Sequence, residues 1–441
     1  MTRPAKKFKV AIVGAGPAGY FTAQAFQKAQ SEGLSFSIDM IERLPTPWGL
    51  VRSGVAPDHQ KIKQVSSVFE KIAHSDDFRL FANVELGKDV TLKKLREQYD
   101  VVVIATGAPD GRKLGIPGEE LSNSFTASEF VSWYNSHPDF AKFDPDLSGD
   151  TAVIIGVGNV ALDIARILSM NTNRLEQTDV SEKALLKLKQ SNIKKVIICG
   201  RRGPENSNFS ALELRNLFQF DEIGIDIDSE QIIDAHLRMS NSSIIDKDLK
   251  INVDIMSEFS KKKRTKNKVS VEFKFLVTPI EIKGTNKVEE IAFEINTIEN
   301  TEIKRTGRIV SFRTGLVITA IGYNSSKLLG LPVKDGKIEN ISGHIANNVY
   351  VVGWAKRGSI GVIGSNKSDS KGVVELILSR LQEPKNKPGI DSLLGSRHRF
   401  INKEAWKKIN NSEIFLGQIK GKPRVKEIDR EALIKMGLDR K

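Results

Sequence analysis

The chain has 441 residues, a mass of 48.9 kDa and 39% apolar side chains, enough for two to three domains with buried cores. Sixty-seven Lys and Arg against 54 Asp and Glu leave a net charge of +13, which points to an acidic partner: a nucleic acid, an anionic surface or an acidic protein. The single cysteine, Cys199, excludes an internal disulfide, a CxxC redox pair, a cysteine-held zinc and a self-held iron–sulfur cluster.

In chain order, MTRPAKKFKV runs straight into a strand without a signal-type apolar segment, and no run approaches the roughly 18 apolar residues of a membrane span. A cytoplasmic chain is expected. Residues 8–13 form a short apolar run closed by Gly14, and residues 20–30 have helical composition: strand, tight turn, helix. Apolar runs at 36–41, ending at Glu42, and at 101–105, ending at Thr106-Gly107, add strands of a parallel sheet. The pattern restarts with a strand at 152–155, a glycine-bearing turn at 156–161, a helix at 162–170 and a strand at 196–199. Between Lys268 and Phe312, alternating runs (VSVEFKFLV, PIEIKG) read as an antiparallel meander on this second unit. Strands at 316–321 and 349–352 follow, and the last 56 residues read as an irregular, partly helical appendage. Within that tail, residues 386–441 hold 14 basic and 7 acidic side chains, about half of the net charge. The expected class is α/β with two Rossmann-like dinucleotide-binding domains. Residues 1–107 and 324–385 form the first, residues 108–323 the second, inserted into it, and residues 386–441 a basic extension.

Gly14-Ala15-Gly16-Pro17-Ala18-Gly19 matches GxGxxG between a strand and a helix. Gly14 permits the turn, Gly16 lets backbone approach a pyrophosphate, and Gly19 lets helix and strand close up. Glu42, at the tip of the next strand, suits a ribose 2'-hydroxyl. The second unit carries Gly156-Val157-Gly158-Asn159-Val160-Ala161, and its next strand ends in Gly200-Arg201-Arg202. Two guanidiniums fit the 2'-phosphate of NADP, which an acid would repel. A helical insertion at 183–190 lengthens the spacing between the two features. Two such folds imply one bound flavin and one visiting nicotinamide. Cys199 ends an apolar strand, and a buried small hydrophobe is favoured over a lone redox thiol. The electrons then have to leave by an external acceptor.

The stretch from Ile41 to His59, with Gly49-Leu50-Val51-Arg52 and Gly54-Val55-Ala56-Pro57-Asp58-His59, resembles the signature of the adrenodoxin reductases and the bacterial ferredoxin-NADP reductases of that type. Residues 83–87, 158–168, 200–204, Phe209, Glu213-Leu214-Arg215, 353–358 and 361–364 agree in order along nearly the whole chain, and residues 421–426 resemble the bacterial branch. The resemblance implies an FAD flavoprotein that takes hydride from NADPH and passes single electrons to a ferredoxin, with cofactors FAD and NADP(H) and no metal of its own. It implies FAD contacts at Ala18, Glu42, Leu50 and Leu86, with Trp354, Gly361, Val362 and Ile363 in the loop beside the flavin ring. A glycine-rich helix start there would aim amides at the pyrimidine edge. For NADP it implies Val157, Gly158, Asn159, Val160 and Gly361, with Arg201, Arg202 and Glu213 at the adenosine-phosphate end. Val157 stands where the family has a polar residue. His59 and Asp163 match a polar pair near the flavin, which fits a proton relay and equally a loop brace beside a carboxylate early in a helix. The implied partner is an acidic ferredoxin, with flavodoxin as an alternative, docked at Arg215 and neighbouring basic groups; Lys261 to Lys268 is a further candidate patch. An NADPH-dependent monooxygenase is the rival enzyme, and a nucleic-acid-binding protein the rival of another class. No nucleic acid partner is expected.

Overall fold

The computed structural model describes residues 6–31, 34–240, 246–261, 269–299, 302–325, 330–395 and 398–439. The chain forms two compact units. One comprises Met1–Asp110, Asn135–Ala141 and Tyr323–Lys441, and the other Gly111–Tyr134 and Lys142–Gly322.

The first unit is built on a six-stranded sheet. Across it run His344–Ala346, Val349–Val351, Val101–Ile104, Lys6–Val13, Leu34–Glu42 and Phe78–Ala82. All pairs are parallel except the first. Val101–Ile104 is buried along its whole length, as a strand covered on both faces must be. The strand order reverses beside Lys6–Val13, which makes the carboxyl end of that strand the natural ligand crevice. One face of the sheet is covered by an aromatic cluster that includes Tyr20, Phe26, Phe36, Phe69 and Phe78.

The C-terminal stretch is not an appendage. Ile401 exchanges backbone hydrogen bonds with Ala82 at 2.8 and 2.9 Å. The helices Lys403–Ile419 and Arg430–Leu438, capped by Asn402 and Asp429, place Trp406, Ile409 and Leu433 in the same cluster. Its high charge hides apolar residues spaced at helical intervals on one face.

The second unit repeats the plan in the order Ser124–Thr126, Leu316–Thr319, Thr151–Ile155, Lys195–Cys199, Val269–Lys274, Ile223–Ile227, all parallel. Val269–Lys274 therefore departs from the expected meander. It follows the crossover helix Lys247–Ser260 and lies between two parallel neighbours, with Val269, Val271 and Phe273 buried. Leu316–Thr319 likewise belongs to this sheet. The antiparallel meander is three strands, Val277–Lys283, Glu290–Glu299 and Glu302–Arg313. Its Ile282, Ile291 and Phe293 pack on Val153, Ile197 and Val317 of the parallel sheet. Of the patch Lys261 to Lys268, all but Lys261 lies outside the described residues.

Candidate functional site: two dinucleotide cradles

In the first unit Gly14 turns at φ +112°, and a Cβ there would lie 2.4 Å from the Ala105 carbonyl oxygen. A Cβ on Gly19 would meet the Gly14 oxygen at 2.1 Å, so only glycine lets the helix Pro17–Lys28 start this close to its strand. That helix begins at Gly16 with no side-chain cap, which leaves its first amides to an anion. Ala18 is buried in its first turn. Glu42 accepts from the amides of Ala15 and Leu44, each at 2.8 Å. Burial raises its pKa against the pull of these two bonds. The expected ribose acceptor thus also braces the glycine turn, and each oxygen keeps a second lone pair.

Residues 48–53 lie on this turn. The Trp48 amide donates to the Ala15 carbonyl at 2.7 Å, and a Cβ on Gly49 would come 2.9 Å from Gly16 Cα. Leu50, exposed, opens the short helix Leu50–Ser53, while Leu86 is half-buried in a bridge to Val90. After Val349–Val351 the chain enters Trp354–Arg357 and then the loop holding Gly361, Val362 and Ile363. The amides of Ser365, Asn366 and Lys367 are taken by the carbonyls of Val362, Ile363 and Gly364. The expected helix start is therefore closed. The amides of residues 361–364, one turn before the helix Ser365–Leu378, carry no bond among the described residues.

Arg357 and Asp369, which sequence reasoning missed, shape that loop. The Arg357 guanidinium donates to Asp369, Asn366, Ser365 and the Ile360 carbonyl at 2.9 to 3.1 Å. Asp369 also accepts from the Gly353 amide at 2.7 Å and Lys356 at 2.8 Å. A basic pair followed by an acid early in the next helix was the available signal.

In the second unit Gly156 turns at φ +132°, and a Cβ there would stand 2.2 Å from the Ala320 carbonyl oxygen. The first glycine of each motif is thus pressed on the carbonyl just past the neighbouring strand. Gly158 opens the helix Asn159–Ser169, again with no side-chain cap. The Val157 carbonyl accepts from the Asn208 amide at 2.8 Å, and its side chain fills the space a Cβ on Gly200 would need. An apolar residue suits that position. Asn159 accepts from the Ser210 amide at 2.7 Å, and Val160 packs against the core. Arg201 and Arg202 are exposed, their carbonyls accepting from the Asn296 side chain and the Leu276 amide. Both backbones are held while both guanidiniums face solvent.

Asp163 receives a 2.7 Å bond from Arg166, whose other nitrogen lies 3.7 Å from Glu213. Arg166 is fully buried. Glu213 takes part in this buried pairing and stands in the first turn of its helix, where Ser210 accepts from its amide. His59 belongs to the first unit, where it precedes the short helix Gln60–Lys63 and its carbonyl accepts from the Ile62 and Lys63 amides. Arg215 is exposed on the helix Ala211–Phe218. Cys199 is buried at the end of its strand, and burial pushes its thiol pKa far up, so it serves as a small hydrophobe.

A family model described as pyridine nucleotide-disulphide oxidoreductase matches residues 8–198. The chain is 40% identical to the NADPH-ferredoxin reductase FprA of Mycobacterium tuberculosis, over 98% of this chain and all of the relative. It is 34% identical to the mitochondrial NADPH:adrenodoxin oxidoreductase of Bos taurus, over 97% and 92% of the two chains. The solved structure of Mycobacterium tuberculosis FprA in complex with NADPH superposes with a TM-score of 0.94 at 39% identity, covering 98% of this chain and all of that one. With two glycine cradles, an arginine pair after the second and full-length similarity to these reductases, the chain belongs to the family of NADPH-ferredoxin and NADPH:adrenodoxin reductases.

Proposed function

We propose that the protein is an FAD-dependent NADPH–ferredoxin reductase, with FAD in the discontinuous unit and NADPH in the inserted one. The observation that carries this reading is the repeated cradle, followed by an acid, Glu42, in one unit and by Arg201-Arg202 in the other. When bound, FAD supplies a ring that takes two electrons as hydride from NADPH and releases them singly to a one-electron carrier. The chain's own part is to bind and orient. The glycine turns and uncapped helix starts hold the pyrophosphates, and Glu42 holds a ribose. The amides of residues 361–364 would donate to the electron-rich edge of the ring, their loop kept in shape by Arg357 and Asp369.

Arg201 and Arg202 select the 2'-phosphate. We assign proton balance to His59 and Asp163, the latter oriented by Arg166. One buried cysteine leaves no internal dithiol, which supports an external acidic ferredoxin reached through exposed cations such as Arg215. A chain with a single buried cysteine needs no oxidising compartment to fold, which supports the cytoplasmic reading.

Steady-state reduction of a ferredoxin by NADPH and by NADH tests the reading. Replacing Arg201 and Arg202 by Ala should raise the NADPH KM about 10- to 100-fold while changing that for NADH little, since a charge-assisted bond to phosphate contributes about 1.5–3 kcal/mol. Equal losses for both nucleotides would refute the 2'-phosphate assignment.

A further inference from the structure

We infer that Glu413, in the C-terminal helix Lys403–Ile419, is a positioning residue for FAD: through Arg52 it locks residues 48–53 onto the glycine turn of the first cradle. The inference rests on the assignment of FAD to that cradle.

Arg52 and Glu413 are 361 positions apart, and both are buried. The guanidinium donates to both carboxylate oxygens, at 2.7 and 2.5 Å. Around this fork the tail grips the same turn at three more points. Lys426 donates to the Arg52 carbonyl at 3.1 Å. Trp406 meets Trp48 edge to face, with centroids 5.0 Å apart, and lies under the Arg52 guanidinium at 5.6 Å. Arg424 stacks over Trp48 at 5.3 Å while standing 3.5 Å from Glu413. Glu413 also accepts from the Glu427 amide at 3.0 Å, which ties the fork to the strand of chain carrying Lys426.

What the clamp holds is a costly conformation beside the cradle. Trp48 sits at φ +84°, in the left-handed region that a bulky side chain avoids, and persists there only where its surroundings over-determine it. That conformation lets the Trp48 amide reach the Ala15 carbonyl and lets Gly49 lie against Gly16. A buried ion pair is a poor choice for stability alone, because a well-packed apolar pair of equal volume does as well. Its distinguishing property is direction. A bidentate fork fixes the orientation of the helix Leu50–Ser53, and with it Leu50 and the backbone pressed on the dinucleotide turn.

The test compares parent, Glu413→Gln and Arg52→Lys holoenzymes. Flavin release is followed by the rise in free-flavin fluorescence on dilution, with the visible absorption spectrum and the affinity for NADP+ measured on the same samples. Glu413→Gln should release flavin at least 10-fold faster and shift the flavin bands, with NADP+ affinity within twofold of the parent. Arg52→Lys, which keeps the charge and breaks the fork, should move in the same direction and cover the case in which Glu413→Gln does not fold. Flavin release within twofold of the parent and unshifted flavin bands in either soluble variant, whatever its melting temperature, would make the pair a structural staple at most and overturn the inference. A parent that holds no flavin at all would overturn the cofactor reading, and this inference with it.

Discussion

His137 shows how a single side chain couples this fold to pH. Burial, reinforced by Arg43, Arg430 and Arg52 and opposed by Asp139, lowers its pKa to about 4. The folded protein therefore keeps it neutral where the unfolded chain, titrating near 6.5, already binds a proton. Its contribution is full above about pH 6.5 and is lost as the pH falls towards 4, by at most about 3 kcal/mol. Denaturant melts at pH 7 and pH 4.5 should show this loss in the parent and a smaller one in His137→Asn, which keeps an acceptor for the Asp139 amide that His137 now holds. Parallel losses would contradict the assignment. Residues of this kind were invisible in the sequence, as were Arg357–Asp369 and Arg52–Glu413, because their partners are set by tertiary packing. The place of Arg201 and Arg202 just past a strand was legible because it depends only on where the apolar run Lys195–Cys199 ends.

At the scale of elements, each strand–turn–helix cradle was legible from spacing because glycine is demanded by local geometry: φ +112° at Gly14 and +132° at Gly156, each against a carbonyl. An alanine at either position should cost about 1–3 kcal/mol in backbone strain, with the steric clash in addition. Gly156→Ala should therefore keep its flavin colour and weaken NADP+ binding about 10-fold or more, whereas Gly14→Ala should lose flavin, as absorbance ratios and nucleotide titration would reveal. A Gly156→Ala protein that loses flavin and retains NADP+ would reverse the division of labour. Val269–Lys274 was misread because alternation fits an antiparallel edge and a parallel strand equally well. Only its crossover helix and its two neighbours decide between them. The C-terminal helices were misread because their net charge masks Trp406, Ile409 and Leu433, which pack into the core.

For the whole molecule, no helix among the described residues is long and apolar enough to cross a membrane, and the chain carries a net charge of +13. That excess suits steering of an acidic carrier, whose encounter rate should fall as salt screens it over about 10 Å at 0.1 M. The most direct measurement is an anaerobic titration followed by visible absorbance. One equivalent of NADPH should bleach the bound flavin, and two equivalents of an oxidised ferredoxin should restore its colour. Flavin that stays bleached when an iron–sulfur carrier is supplied, or protein that yields no flavin to bleach, would contradict the account.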